Sequence, residues 1–404
     1  MTKSIAIRSV RVIDGTGRTI ERATVVIRGA TIAAVGSDRD LSIPRGATIV
    51  DGRGFTLLPG LIDCHVHLCL GAEPDVVEAI AKETSALTLL KAGQAARATL
   101  EAGFTTVRDV GSRDHAIFTL QQAIDTGLVP GPRIVGAGLA ICMIGGHARF
   151  IGQEVEGAEQ VRSAVRAQIA AGASVIKVIA SGGVLTPGTS PDQAQMTVEE
   201  LQAAVDEAQR AGRKVAAHAH GSSGMKNAVR AGVHSIEHAT LMDEEASAMM
   251  KQQGVFMVPT LSALATTAAC RLGCGIPESA LDKAKSMTKR HHVSFKNALR
   301  DGIQIAMGTD AGTPFNFHGE NAQELERMVA LGMSPMQAIL ASTSAAAQLI
   351  GIQDQVGTIE KGKLADLLLF KGNPLRRIDL LRDRSGIMGV MQSGRFVAGP
   401  LSRM

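Results

Sequence analysis

The feature that most constrains this chain is a unit repeated through its middle. A helical stretch ends at glycine, a β-branched run follows, and a polar residue stands where the run stops. It occurs at Gly103 before residues 104–109, Gly172 before 173–178, Gly212 before 214–218, Gly232 before 233–238, Gly254 before 255–260 and Gly302 before 303–310. Glycine after a helix takes the left-handed conformation that ends it, and basic residues such as Arg210, Arg230 and Arg300 suit the negative end of the helix dipole. These are therefore helix-to-strand joints. Strand-like runs at 61–67 and 133–137 bring the number of strands to eight. Eight units of parallel order fit a closed (β/α)8 TIM barrel better than an open sheet, because no Gly-x-Gly-x-x-Gly loop follows the first strand.

The two ends of the chain read differently. Residues 1–58 form short β-branched runs closed by turns at Asp14-Gly15 and Arg28-Gly29, and residues 356–404 repeat that character. This predicts one small discontinuous β-sandwich domain, 1–58 with 356–404, beside a barrel of residues 59–355.

Composition narrows the function classes. The net charge of +4 comes from mixed acidic and basic residues without a basic block, which argues against nucleic acid or an anionic membrane as partner. No apolar run approaches the roughly 20 residues that span a bilayer, and the N-terminus enters a strand pattern directly, so a cytoplasmic protein is expected. Five cysteines at irregular spacing, Cys270 and Cys274 among them, read as free thiols rather than a disulfide framework. With neither Trp nor Tyr in the chain, polar chemistry falls on His, Asp, Glu, Lys, Arg, Ser and Thr.

Barrel chemistry gathers at the C-terminal ends of the strands. In strand 61–67 side chains alternate, so His65 and His67 share one face. The other strand ends bring Arg108 and Asp109, Lys177, His218, His238 and Asp310. A set of imidazoles with a carboxylate suits a borderline metal such as zinc. Lys177 lies between Ile176 and Val178, where desolvation favours the neutral amine. Such an amine can add carbon dioxide and become a carbamate able to bridge two metal ions.

His65-x-His67 after the Pro59-Gly60 turn, Lys177 in its apolar strand, His218 in Ala217-His218-Ala219-His220, His238 after Glu237, Asp310 in Gly308-Thr309-Asp310 and the tail around Gly357–Asp366 together resemble the binuclear amidohydrolase superfamily. Within it the chain resembles the prolidase-like and imidazolonepropionase-related branch, which includes Xaa-Pro and Xaa-Arg/Lys dipeptidases and ochratoxin-type amidases. The resemblance implies two divalent ions of zinc type. His65, His67 and Asp310 would hold the more buried ion, His218 and His238 the more exposed one, and carbamylated Lys177 would bridge them. It implies a dipeptide or N-acyl-L-amino acid substrate, attacked by a metal-bridging hydroxide with Asp310 as general base and then acid. A homo-oligomer, an octamer among the sizes allowed, is implied as well.

His147, in the loop after the third strand, is placed to stabilise an oxyanion or hold a substrate carboxylate, and His220 to touch substrate. Arg149, Arg113 and His318 are the remaining candidates for substrate contact. Loops 181–190, 262–289 and 312–319 are expected to shape specificity, the second of them as a lid. His291 and His292 read as surface residues. Opening of a cyclic amide is the runner-up reaction. A one-metal deaminase is weakened by Lys177, and a serine triad by the absence of a Gly-x-Ser-x-Gly elbow.

Overall fold

The computed structural model describes residues 4–271 and 273–403. Seven strands build most of the barrel wall: β1 (Leu61–Val66), β2 (Phe104–Asp109), β3 (Arg133–Gly136), β4 (Val175–Ile179), β5 (Lys214–Gly221), β6 (Ser235–Leu241) and β7 (Phe256–Val258). Every pairing along β1-β2-β3 and along β4-β5-β6-β7 is parallel. The Ser174 amide donates to the Gly136 carbonyl at 2.9 Å and links β3 to β4. All six joint glycines have positive φ, from 66° at Gly212 and Gly254 to 118° at Gly172, as the repeat demands.

The eighth wall differs from the expectation of a regular strand over 303–310. Residues 304–311 stand between β7 and β1 and bond to both, yet form only isolated parallel bridges, Met257 to Ile305 and Val66 to Ala311. The Met257 amide donates to Gln304, and the Cys64 amide donates to Met307. Asp310 supplies the reason, since its φ of 61° turns the chain out of the extended region. Gly308 just before it has no room for a side chain: a Cβ there would sit 2.4 Å from Val258 Cγ1 and 2.8 Å from His65 Cβ. Close approach and separate backbone hydrogen bonds to β1 and β7, rather than a continuous ladder, close the barrel.

Both chain ends join one eight-stranded sheet. Phe55–Pro59 pairs antiparallel with Leu367–Lys371, so the strand that leads into the barrel is zipped to the strand that leaves it. Ser4–Ile13 pairs with Thr48–Asp51 along its first half and with Phe55–Pro59 along its second. A register shift between Ile7 and Val10, with Ser9 at φ 56°, separates the halves. Such an irregularity lets a strand turn a corner and the sheet wrap around a core. That core contains Ile7, Val25, Leu57, Leu367 and Met391.

Two helices cover the C-terminal mouth of the barrel, α1 (Leu261–Ala269) and α2 (Glu278–Asp301). They occupy the segment expected to form a lid. In the link between them Cys270 and Cys274 form a disulfide, contrary to the reading of both as thiols. The two Cα atoms lie 6.3 Å apart, and the Cys274 amide donates to the Arg271 carbonyl. Cys64, Cys69 and Cys142 are free and buried. Among the described residues no helix is long and apolar enough to cross a membrane.

Candidate metal centre

The strand ends converge. His65, His67, Lys177, His218, His238 and Asp310 line one cavity at the mouth, together with His147 and His220. The space within it and its open mouth together comes to about 710 Å³. Leu70, Val110, Phe150, Ile151, Val184 and Leu264 supply apolar walls.

β1 orients its two histidines from behind. His65 Nδ1 donates to the Glu237 carboxylate at 2.7 Å, and His67 Nδ1 donates to the Gly111 carbonyl at 2.9 Å. Both Nε2 atoms are thereby left as acceptors, and both point at Asp310 Oδ1, at 3.4 Å and 3.3 Å. Such outer partners fix the tautomer of a metal-binding imidazole. Burial opposes ionisation of Asp310; in their protonated forms His65 and His67 outweigh it by charge and by Nε2–H hydrogen bonds, and hold the carboxyl well below the usual range.

On the other side, nitrogens of His218, His220 and His238 lie within 4.8 Å of one another, and donor atoms of His65, His238 and Asp310 do the same. His238 is common to both groups, so the donors form one continuous field. Its Nδ1 lies 2.7 Å from Thr260 Oγ1, and His220 Nδ1 lies 2.7 Å from Thr240 Oγ1. His218 Nε2 donates to the Gly182 carbonyl at 3.1 Å, which leaves its Nδ1 for the centre. Burial, reinforced by neighbouring positive charge, pushes all three imidazoles well below their ordinary pKa, and the neutral form is the one that ligates. His220, expected only as a substrate contact, stands as close to the donor field as His218.

Lys177 is buried, and its Nζ has no hydrogen-bond partner among the described residues. Burial brings its pKa down to about 8. A buried amine without a partner costs stability unless something else satisfies it. The two groups of nitrogen and oxygen donors line the same cavity as that amine and fit divalent ions of zinc type.

Strain marks the same region. His238, Ala239, Thr260 and Asp310 all have positive φ, at 71°, 49°, 50° and 61°. Residues held this way cost about 1–3 kcal/mol each and cluster at functional sites. At β6 the departure from extended geometry breaks strand alternation, so that adjacent Glu237 and His238 both serve the centre.

Two candidates for substrate contact lie elsewhere. Arg149 is exposed and its nearest hydrogen bond, at 3.4 Å, goes to the Gly145 carbonyl, because the short helix Arg149–Ile151 turns it outward. His318 does not line the cavity, since its Nε2 donates to the Leu70 carbonyl at 3.0 Å and ties the loop after Asp310 to the chain after β1. Arg113 is likewise occupied, by the carbonyls of Ile80 and Glu83.

His291, read as a surface residue, is buried, and its Nε2 donates to the His238 carbonyl at 3.0 Å. Ser294 Oγ donates to the Thr240 carbonyl at 2.9 Å. Thus α2 props the strained end of β6. The signal was present in the spacing of Ala284, Met287, His291, Ser294, Phe295 and Ala298, which puts His291 on the apolar stripe. Glu237 also escaped notice as a working residue: it bonds His65, takes two bonds from Arg108 Nη2 at 2.8 Å and 2.9 Å, and accepts from Ser235 Oγ. Burial opposes its charge, but Arg108 prevails and holds the carboxyl at about 2.

Comparison with known proteins agrees with this geometry. The model of the amidohydrolase family matches residues 56–397. Ochratoxinase of Aspergillus niger is 32% identical over 96% of this chain and 85% of its own length. The crystal structure of a Xaa-Pro dipeptidase with bound methionine in its active site superposes with a TM-score of 0.92 at 37% identity, covering 98% of this chain and 100% of that one. Imidazolonepropionase of Rubrobacter xylanophilus is 25% identical over 92% of this chain and 90% of its own length.

Proposed function

The chain belongs to the amidohydrolase family, and from that premise we propose that it hydrolyses the amide bond of dipeptides or N-acyl-L-amino acids, with two divalent ions, zinc by donor chemistry, held at the barrel mouth. The observation that carries this reading is the convergence of His65, His67, His218, His238 and Asp310 around the partnerless amine of Lys177. The likeness to ochratoxinase and to a Xaa-Pro dipeptidase supports the same bond class.

In this proposal His65, His67 and Asp310 would hold one ion and His218 and His238 the other. Lys177 would add a carboxylate ligand as a carbamate, formed when its neutral nitrogen bonds the carbon of carbon dioxide and releases a proton. When bound, the ions supply Lewis acidity and lower the pKa of a water molecule toward neutrality. Asp310 accepts the proton of the attacking water and returns it to the departing amine. His147 and His220 offer N–H groups to the carbonyl oxygen or to a substrate carboxylate, a task that Arg149 and His318, which do not line the cavity, do not share. The apolar walls take the side chain next to the scissile bond. A cytoplasmic homo-oligomer is part of the same proposal.

Metal analysis of the purified protein is expected to find about two ions per chain, both removed by chelation with loss of turnover and a lower Tm. One tightly held ion with full activity contradicts the pair. For the substrate, release of free amine from a panel of Xaa-Pro dipeptides, N-acyl-L-amino acids and cyclic amides is the deciding measurement. Turnover confined to the rings would favour the imidazolonepropionase-like alternative that the fourth comparison suggests.

A further inference from the structure

We propose that Lys283 on α2 is a positioning residue for His147, holding the 182–190 loop where Thr186 can orient the imidazole. The proposal rests on the amide-hydrolase reading only for what His147 does to substrate. Lys283 Nζ donates to the carbonyls of Thr189 at 2.7 Å, Gly183 at 3.3 Å and Thr186 at 3.3 Å. An ammonium has three N–H donors, and here all three are spent on one loop. None remains for a substrate carboxylate, so Lys283 acts through the loop rather than on the ligand.

The loop brings two groups to His147. Thr186 Oγ1 lies 2.9 Å from His147 Nδ1 and also accepts from the Ala148 amide at 3.3 Å. Gly183 abuts the other side of the ring, where a Cβ would fall 2.2 Å from Nε2. The third tie on this residue, from its amide to Gln195 Oε1 at 2.9 Å, holds the backbone and leaves the ring free to turn. Ring direction therefore depends on the loop. Val184 of the same loop packs with Leu264 of α1 and with Leu281 and Ala284 of α2. Apolar packing presses the loop onto the lid without setting its register, because it has no direction. The three convergent carbonyls do set it, since a hydrogen bond weakens steeply off line.

The test uses Lys283→Met and Lys283→Arg, each also combined with His147→Ala. Steady-state kinetics with leucyl-proline and the 15N signals of the His147 ring, identified by their loss in His147→Ala, are read in the metal-loaded protein. Lys283→Met is expected to lower kcat/KM about tenfold or more, Lys283→Arg to recover part of it, and the His147 ring signal to shift. In the His147→Ala background Lys283→Met should cost nothing further, as expected when one residue works through the other. An equal loss in that background overturns the proposal, and so does a folded Lys283→Met protein of lower Tm whose His147 ring signal is unmoved. If the wild-type protein turns over no amide at all, the reaction reading fails, while the ring signal still decides the role of Lys283.

Discussion

Lys177→Ala is expected to abolish turnover, by roughly 1000-fold or more, while leaving a folded protein. The two halves of that expectation come from one fact. Lys177 Nζ is buried with no hydrogen-bond partner among the described residues, so its removal breaks no hydrogen bond that holds the fold. Loss of the amine also lifts a desolvation cost, which offsets part of the lost packing. If a carbamate at this position joins the two ions, metal content should fall with activity. The space vacated by the side chain should admit formate or acetate, and these should restore part of the turnover. Full activity without added acid would remove the bridge from the scheme.

Glu237→Ala should be the most destabilising single change at the centre. It leaves the Arg108 guanidinium, which is almost fully buried, without its carboxylate. Breaking one half of a buried pair costs about 3–5 kcal/mol, read as a lower midpoint in denaturant. Glu237→Gln keeps the volume and separates two roles. It can accept from Arg108 but is a weaker acceptor for His65 Nδ1, so metal affinity should fall about 10–100-fold in a protein that still folds. The acid side of the stability profile gives the sign. The Glu237 carboxyl is held at about 2 against an ordinary 4.5, so its stabilising contribution is present above about pH 4.5 and is lost as pH falls toward 2. Glu237→Gln should flatten that limb.

What could be read in the chain and what could not divide along physical lines. Helix-Gly-strand joints reported themselves because a left-handed helix end selects glycine. Residues at the ends of parallel strands are placed by topology, which is why His65, Lys177, His218 and Asp310 are legible as a group in the sequence. Loop residues have no such periodicity. Arg149 and His318 stand near the mouth in sequence, yet one is turned outward by the short helix Arg149–Ile151 and the other is tied to the Leu70 carbonyl, neither of which spacing encodes. The irregular wall at 304–311 is hidden for a related reason: its apolar run reads as a strand, while its conformation answers to the crowding of Gly308 by His65 and Val258. His291 was legible in principle, as its place on the stripe of α2 follows from helical spacing. Glu237 stands beside His238 and was overshadowed by it, since strand alternation allows only one of the two to face inward.

The closure of the barrel through its last, irregular wall has a consequence for the order of events in synthesis. Asp63 and Thr309, 246 positions apart, are joined by a 2.6 Å hydrogen bond, and the donors of β1 meet Asp310 beside them. A nascent chain still lacking its final third can display His65 and His67 but cannot cage an ion with them. Any resident metal is therefore a late arrival, captured only once the chain through Asp310 is in place, and its uptake reports that the whole ring has been completed.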